Sequence, residues 1–263
     1  MRFLYSCSVL FFSALCVAGA AENSVISLSH YDEKGLDFPS MQRSGLEGVI
    51  HEATYPAYGH DSRYAYRQNE AGRAGLHWGA YCFGNSSDGR RQADYFLDFV
   101  SSEWIQGATA ASRPPGVLLV LDAEQNTHYP GGSMQVEQAV RFVERVHDRT
   151  GGYPGLYSNE NWIKKIFNNP AIDAASRQTL SKCWLWIANY HVQPASTAPW
   201  ARWTLWQYTG DGICGLPRSH YPTAIGTFRN AERTIFSGDR TELRRFWTDH
   251  SWLPDRALMV KRD

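Results

Sequence analysis

The chain has 263 residues, a formal net charge of zero and 43% hydrophobic residues. That length suits one large domain or two small ones, and the absence of a Ser/Gly-rich linker, a charge block or a repeat favours one. The charge balance leaves no electrostatic footprint for nucleic acid or an anionic membrane surface, while 14% aromatic residues, with 10 Trp, fit either a Trp-rich core or flat platforms for sugar rings.

Arg2, a largely apolar run from Leu4 to Val17 and the small residues Ala18-Gly19-Ala20 read as a signal peptide over residues 1–20, cleaved after Ala20 or Ala21. The run is too short and too interrupted to span a bilayer, and no other stretch is long enough. The mature chain, residues 21–263, is therefore expected to be secreted or periplasmic, without a membrane span, and a monomer. It keeps Cys82, Cys183 and Cys214. Three thiols leave at least one unpaired, and a Cys183–Cys214 bridge stays open on sequence alone. Their spacing gives no zinc pattern, and nothing calls for a metal or an organic cofactor.

In chain order, 25–29 reads as a first strand and 38–45 as a helix ended by Gly45. Residues 48–54 form a second strand and 63–74 a helix stopped at Gly75. Residues 76–83 form a third strand and 88–100 a helix with Ala93, Phe96, Leu97 and Val100 at helical spacing. Residues 117–121, Val-Leu-Leu-Val-Leu, are continuously apolar, as in a strand buried on both faces of a parallel sheet. Residues 133–150 form a strong helix with Ser133 as its expected N-cap. Beyond Gly151-Gly152 come a strand at 155–158, helices at 160–167 and 171–180, and strands at 184–190 and 203–208. Two last strands at 224–228 and 232–236 precede a closing helix at 240–248. Alternating strands and helices predict an α/β fold with a largely parallel sheet. About eight strands in one domain predict an irregular (β/α) TIM-like barrel, with its site at the C-terminal strand ends.

The chemistry collects where the apolar strand ends. Asp122 and Glu124 are two residues apart, so they leave the strand on the same side with Ala123 turned away. Paired carboxylates in that place suit acid/base work, although Asp-x-Glu after a strand is also a common solvated loop or helix cap.

Ordered motifs around this pair resemble glycoside hydrolase family 25, the lysozymes that act as N-acetylmuramidases. Ile26-Ser27-Leu28-Ser29-His30-Tyr31 resembles the family's Ile-Asp-Val-Ser-His-Tyr opening. Gly79-Ala80-Tyr81-Cys82-Phe83 resembles its Gly-Ala-Tyr-His-Phe strand. Gln92 to Leu97, Asp122-Ala123-Glu124, Tyr157-Ser158, Trp186 to Tyr190 and Trp206-Gln207-Tyr208 follow in the family's order. The resemblance covers nearly all of the mature chain. It departs at Ser27, where the family has Asp; at Glu52, where Lys is usual; at Cys82, where His is usual; and at Glu232, where the late segment has Asp.

The resemblance implies cleavage of the β-1,4 bond between N-acetylmuramic acid and N-acetylglucosamine in a peptidoglycan glycan strand. Glu124 would be the general acid, its proton held by the neighbouring Asp122 carboxylate. Asp122 would stay ionised and orient the substrate's N-acetyl group, whose oxygen attacks the anomeric carbon. Glu232 would share the stabilising role, or else form a surface salt bridge with Arg229 or Arg233. Ser27, Tyr81, Tyr157, Trp186, Tyr190 and Gln207 would line the sugar cleft, with Cys82 at its rim as an inert thiol. The alternative is a catalytically impaired glycan-binding descendant of the same fold, which the lost acid at Ser27 would favour.

Overall fold

A computed structural model of the chain describes residues 21–106, 114–194 and 197–254. The signal-peptide reading at 1–20 lies outside the described residues. Among the described residues no helix is long and apolar enough to cross a membrane.

The elements alternate as β1 (Glu22–Leu28), α1 (Phe38–Arg43), β2 (Gly48–Tyr55), β3 (Gly59–His60), α2 (Tyr64–Arg73), β4 (His77–Phe83), α3 (Gly89–Gln106), β5 (Val117–Asp122), α4 (Val136–Thr150) and β6 (Gly155–Asn159). Then come α5 (Glu160–Phe167), α6 (Ala174–Ser181), β7 (Trp184–Ala188), β8 (Leu205–Gln207), β9 (Glu232–Phe236) and α7 (Arg240–His250). The strands run β1-β2-β4-β5-β6-β7-β8 in parallel. β9 pairs antiparallel with both β8 and β1 and so closes an eight-stranded barrel. β3 only extends β2 as a two-residue hairpin partner.

The α/β barrel follows from the sequence pattern, and its expected irregularity in the last third is real. β8 has three residues, β9 runs backwards, and among the described residues no helix separates β7, β8 and β9. Residues 224–228 form no strand. Ile225 and Phe228 instead close a tight bridged turn. Ser133 does not cap α4: the cap is Gln135, which forms a capping box with Gln138. Ser133 Oγ accepts from Asn126 N–H at 2.9 Å and so braces the loop after β5.

The strand pattern sorts two apolar layers. Alternate residues Val25, Ile50, Leu118, Val120, Leu205 and Phe236 fill the barrel with Trp184 and Trp186. The intervening ones, such as Ile26, Val49, Leu119 and Leu121, face the helices. α7 adds Leu243 and Trp247 to the interior cluster, and Trp247 Nε1 donates to Trp78 O at 2.9 Å. Gly48 and Gly155 make room for these rings: a Cβ on either would lie 2.4 Å from Trp247 or Trp184. The interior is thus solid at one end and open only at the C-terminal ends of the parallel strands.

The three cysteines are unpaired. Cys82 is not at the cleft rim. It is buried on the outward face of β4, where burial pushes its thiol up to about 12. The family's His position therefore faces the helix layer in this chain, because β4 sends Tyr81 and Phe83 inward and Cys82 outward.

Candidate active site

A cleft of about 520 Å³ opens at the strand ends. Ser27 comes from β1, Glu52 from β2, Tyr81 and Phe83 from β4, and Asp122 from β5, with Glu124 just beyond it. Tyr157 comes from β6, Trp186 from β7, Gln207 from β8 and Glu232 from β9. All nine residues singled out in the sequence (Ser27, Tyr81, Asp122, Glu124, Tyr157, Trp186, Tyr190, Gln207 and Glu232) line this one cleft. Because β9 runs backwards, its first residue, Glu232, lies at the same end as the last residues of its neighbours.

Its floor is a chain of hydrogen bonds. Tyr157 and Tyr190 donate their hydroxyls to Gln207 Oε1, the latter at 3.3 Å. Gln207 Nε2 donates to Ser27 Oγ and to Glu232 Oε2, each at 3.0 Å. Ser27 Oγ donates on to Glu232 Oε2 at 2.9 Å. Asp211 N–H reaches Glu232 Oε1 at 3.3 Å. Glu232 is therefore tied into the cleft and forms no salt bridge with its neighbours: Arg233 donates instead to Ala224 O and Asn23 O, each at 2.7 Å.

Burial, then Asp32, pushes the Glu232 carboxyl up to about 7, against the lowering effect of the Ser27 hydroxyl. Burial, then Asp211, lifts Glu124 to about 7. Asp122 does not hold the low pKa that a lone ionised partner would have. Burial first, then Glu124, Glu52 and Glu232, raise its carboxyl well above the ordinary range. Asp122 is 5% exposed, and its Oδ1 has no hydrogen-bond partner. Trp186 Nε1, also buried at the cleft, has none either. One is an acceptor and one a donor, and buried polar atoms without a protein partner are uncommon in folded proteins.

Three further features were not assigned to the site from sequence. Glu52 is read there only as a departure, yet it is 3% exposed and lines the cleft beside β1. A bulge in β2 pairs Glu52 with Tyr81 and Thr54 with Cys82, leaving Ala53 over. His30 Nδ1 bonds Glu52 Oε2, and that bond raises the imidazole pKa. Asp211 reaches the cleft on a turn in which Asp211 and Gly212 both have positive φ, 51° and 74°. The Asp-Gly dipeptide after β8 was the available signal. Tyr31 and Tyr129 form an aromatic rim with His30, and Tyr31, 74% exposed, offers a free ring face.

The sequence profile of the glycosyl hydrolases family 25 matches residues 26–215. The chain belongs to glycosyl hydrolase family 25. Membership makes it a glycosidase of the lysozyme type, and solved family 25 structures share its fold. The Streptomyces coelicolor lysozyme is 23% identical with a TM-score of 0.65, covering 88% of this chain and 99% of that one. The Acremonium alcalophilum muramidase is 22% identical with a TM-score of 0.61, covering 85% and 98%. The Aspergillus fumigatus family 25 lysozyme is 22% identical with a TM-score of 0.61, covering 86% and 99%. No sequence match is found among curated proteins. The family 25 match begins within β1, runs through β8 and stops before β9, so Glu232 lies beyond the matched residues.

Proposed function

We propose that this family 25 enzyme is an exported muramidase that cleaves the β-1,4 bond between N-acetylmuramic acid and N-acetylglucosamine in peptidoglycan. The observation that carries the reading is the pairing of Glu124 with the unsatisfied buried Oδ1 of Asp122 in one cleft. Glu124, with a carboxyl pushed up to about 7, holds a proton in slightly acidic solution and gives it to the leaving glycosidic oxygen. Asp122 Oδ1 accepts the acetamido N–H of the sugar being cleaved. That bond favours the ionised form of Asp122 once substrate is bound. The acetamido oxygen then attacks the anomeric carbon as the bond to the leaving oxygen breaks. Water opens the resulting ring, returning its proton to Glu124. Trp186 supplies an aromatic wall to the cleft beside Tyr157. Glu232, held by Ser27 and Gln207, is lifted to about 7 as well, so only its ionised fraction adds negative charge near the developing oxocarbenium ion.

The test is reducing-end release from purified peptidoglycan, with product masses, for the wild type beside Glu124→Gln. New reducing N-acetylmuramic acid ends that fall by about 10²–10⁴-fold in the variant are expected. Undiminished release by Glu124→Gln would sink the assignment. Binding of peptidoglycan without release by the wild type would support a glycan-binding descendant, the reading that Ser27 favours by replacing an acid.

A further inference from the structure

The cleft does not end at Glu124. Gln125, the next residue, also lines a second groove of about 470 Å³ between the loop before α4 and helix α5. The two spaces have nearly the same volume but opposite chemistry. Glu52, Asp122, Glu124, Asp211 and Glu232 line the cleft. The groove is lined by no carboxylate, and its polar groups include the side-chain amides of Gln135, Asn161 and Asn169 and the ammonium of Lys165. Its aromatic wall is Trp162, which is half-buried against the core and presents the rest of its ring. Its place on the helix is set by a cap: Asn159 Oδ1 accepts from the Trp162 backbone N–H at 3.0 Å in the first turn of α5, and β6 carries Tyr157 into the cleft two residues before that cap. A flat indole face beside neutral amides is the composition that receives a neutral sugar ring.

We infer that this groove binds the glycan strand beyond the sugar that carries the leaving oxygen, with Trp162 as its stacking platform. The inference rests on Glu124 as the proton donor. An acid that protonates the leaving oxygen stands on the leaving-group side of the scissile bond, and its neighbour Gln125 lines both the cleft and the groove. Binding energy from remote sugars is then available to orient the reacting bond.

The experiment uses the full chain, Trp162→Ala and Trp162→Tyr, with peptide-free strands of alternating N-acetylmuramic acid and N-acetylglucosamine graded by length. In Trp162→Ala, kcat/KM should fall about tenfold on long strands, with a loss that narrows as the strand shortens. Trp162→Tyr, which keeps a ring, should recover most of it. A loss of equal size at every length, or one confined to strands bearing peptides, overturns the inference. Calorimetric binding of the longest strand is a second readout. Weaker binding by Trp162→Ala supports the groove even if no strand is cleaved, whereas equal binding overturns it. A wild type that binds long strands through Trp162 but releases no reducing ends would refute the muramidase reading alone.

Discussion

Ser27 gives its hydroxyl hydrogen to Glu232 at 2.9 Å and takes one from Gln207 at 3.0 Å. The residue that replaces the family's first-strand acid is thus a relay, holding the one acid lengthened by a methylene. Removing the hydroxyl in Ser27→Ala leaves Gln207 and Asp211 to position Glu232, but withdraws a donor that favours its ionised form. A hydrogen bond to a charged group is worth ~1.5–3 kcal/mol, so the Glu232 pKa should rise by about one to two units. The acidic limb of the pH–rate profile should move up with it. An unmoved limb would mean that Glu232 is not the group whose ionisation limits the rate.

Glu52 adds a carboxyl to the cleft from the strand next to Ser27, but not a bare one, since His30 is bonded to it. The Glu52 bond is the largest cause of the raised His30 pKa. In Glu52→Gln that cause is gone, and burial and Arg63, which lower the pKa, are opposed by Asp61 alone. The His30 resonance, followed by NMR titration, should then move to a lower midpoint than in the wild type. An unchanged midpoint would show that the contact is absent in solution.

Arg67 is 1% exposed on α2 and holds the loop that carries Ser29 and Tyr31. It donates to Ser29 O at 2.9 Å, Asp32 O at 3.1 Å and Glu33 O at 2.8 Å, and it stands 3.8 Å from buried Asp61. Arg67→Met keeps the bulk, but it takes the side-chain donor from Glu33 O, leaves Ser29 O to Asp32 N–H and Asp32 O to Arg63, and removes one of the two arginines beside Asp61. Breaking a buried pair in this one-sided way costs ~3–5 kcal/mol. Urea denaturation should show a loss of that order, with weaker glycan binding because Ser29 and Tyr31 are no longer fixed.

The sequence made the barrel and most of the cleft legible for one reason: inward residues on parallel strands recur with period two and end together. Val117–Asp122 is the clearest case, since its apolar run ends in the acid that enters the cleft. What stayed illegible depends on partners far along the chain. Glu52 looks like a stray substitution until His30, 22 residues away, is seen against it. Arg233 looks like a partner for Glu232 until β9 sends adjacent side chains to opposite faces and Arg233 reaches Ala224 and Asn23. The apolar spacing at 224–228 suggests a strand, but Ile225 and Phe228 bond each other and leave no backbone run to pair with a neighbour. Ser133 has the right chemistry for a cap, and Gln135 with Gln138 took the role through a box closed by amides.

Gly155 tests the interior packing. A Cβ there would meet the Trp184 ring at 2.4 Å, and Trp184 is itself held edge-on by Phe246 of α7. At that distance Gly155→Ala must shift β6 or the indole. Overpacking of this kind costs ~1–3 kcal/mol. Because β6 also carries Tyr157, thermal stability and glycan affinity should fall together. A variant as stable as the wild type would show that the barrel floor is looser than these contacts imply.

The crowded acids also set how stability depends on pH. Glu124 and Glu232 are both lifted to about 7 in the folded chain, from a value near 4.5 for a free glutamate. The folded state therefore binds more protons than the unfolded state between those limits. With more protons on the native side, stability falls as pH rises. Their contribution is fully present below about pH 4.5 and is lost as pH passes through about 7. The raised pKa of Asp122 acts in the same direction. Melting temperature should decline from mildly acidic to mildly alkaline solution, the reverse of a protein whose carboxylates are salt-bridged. Glu232→Gln cannot ionise, so its decline should be shallower, and it should gain stability over the wild type at the alkaline end. A parallel decline in wild type and variant would assign the slope to other groups.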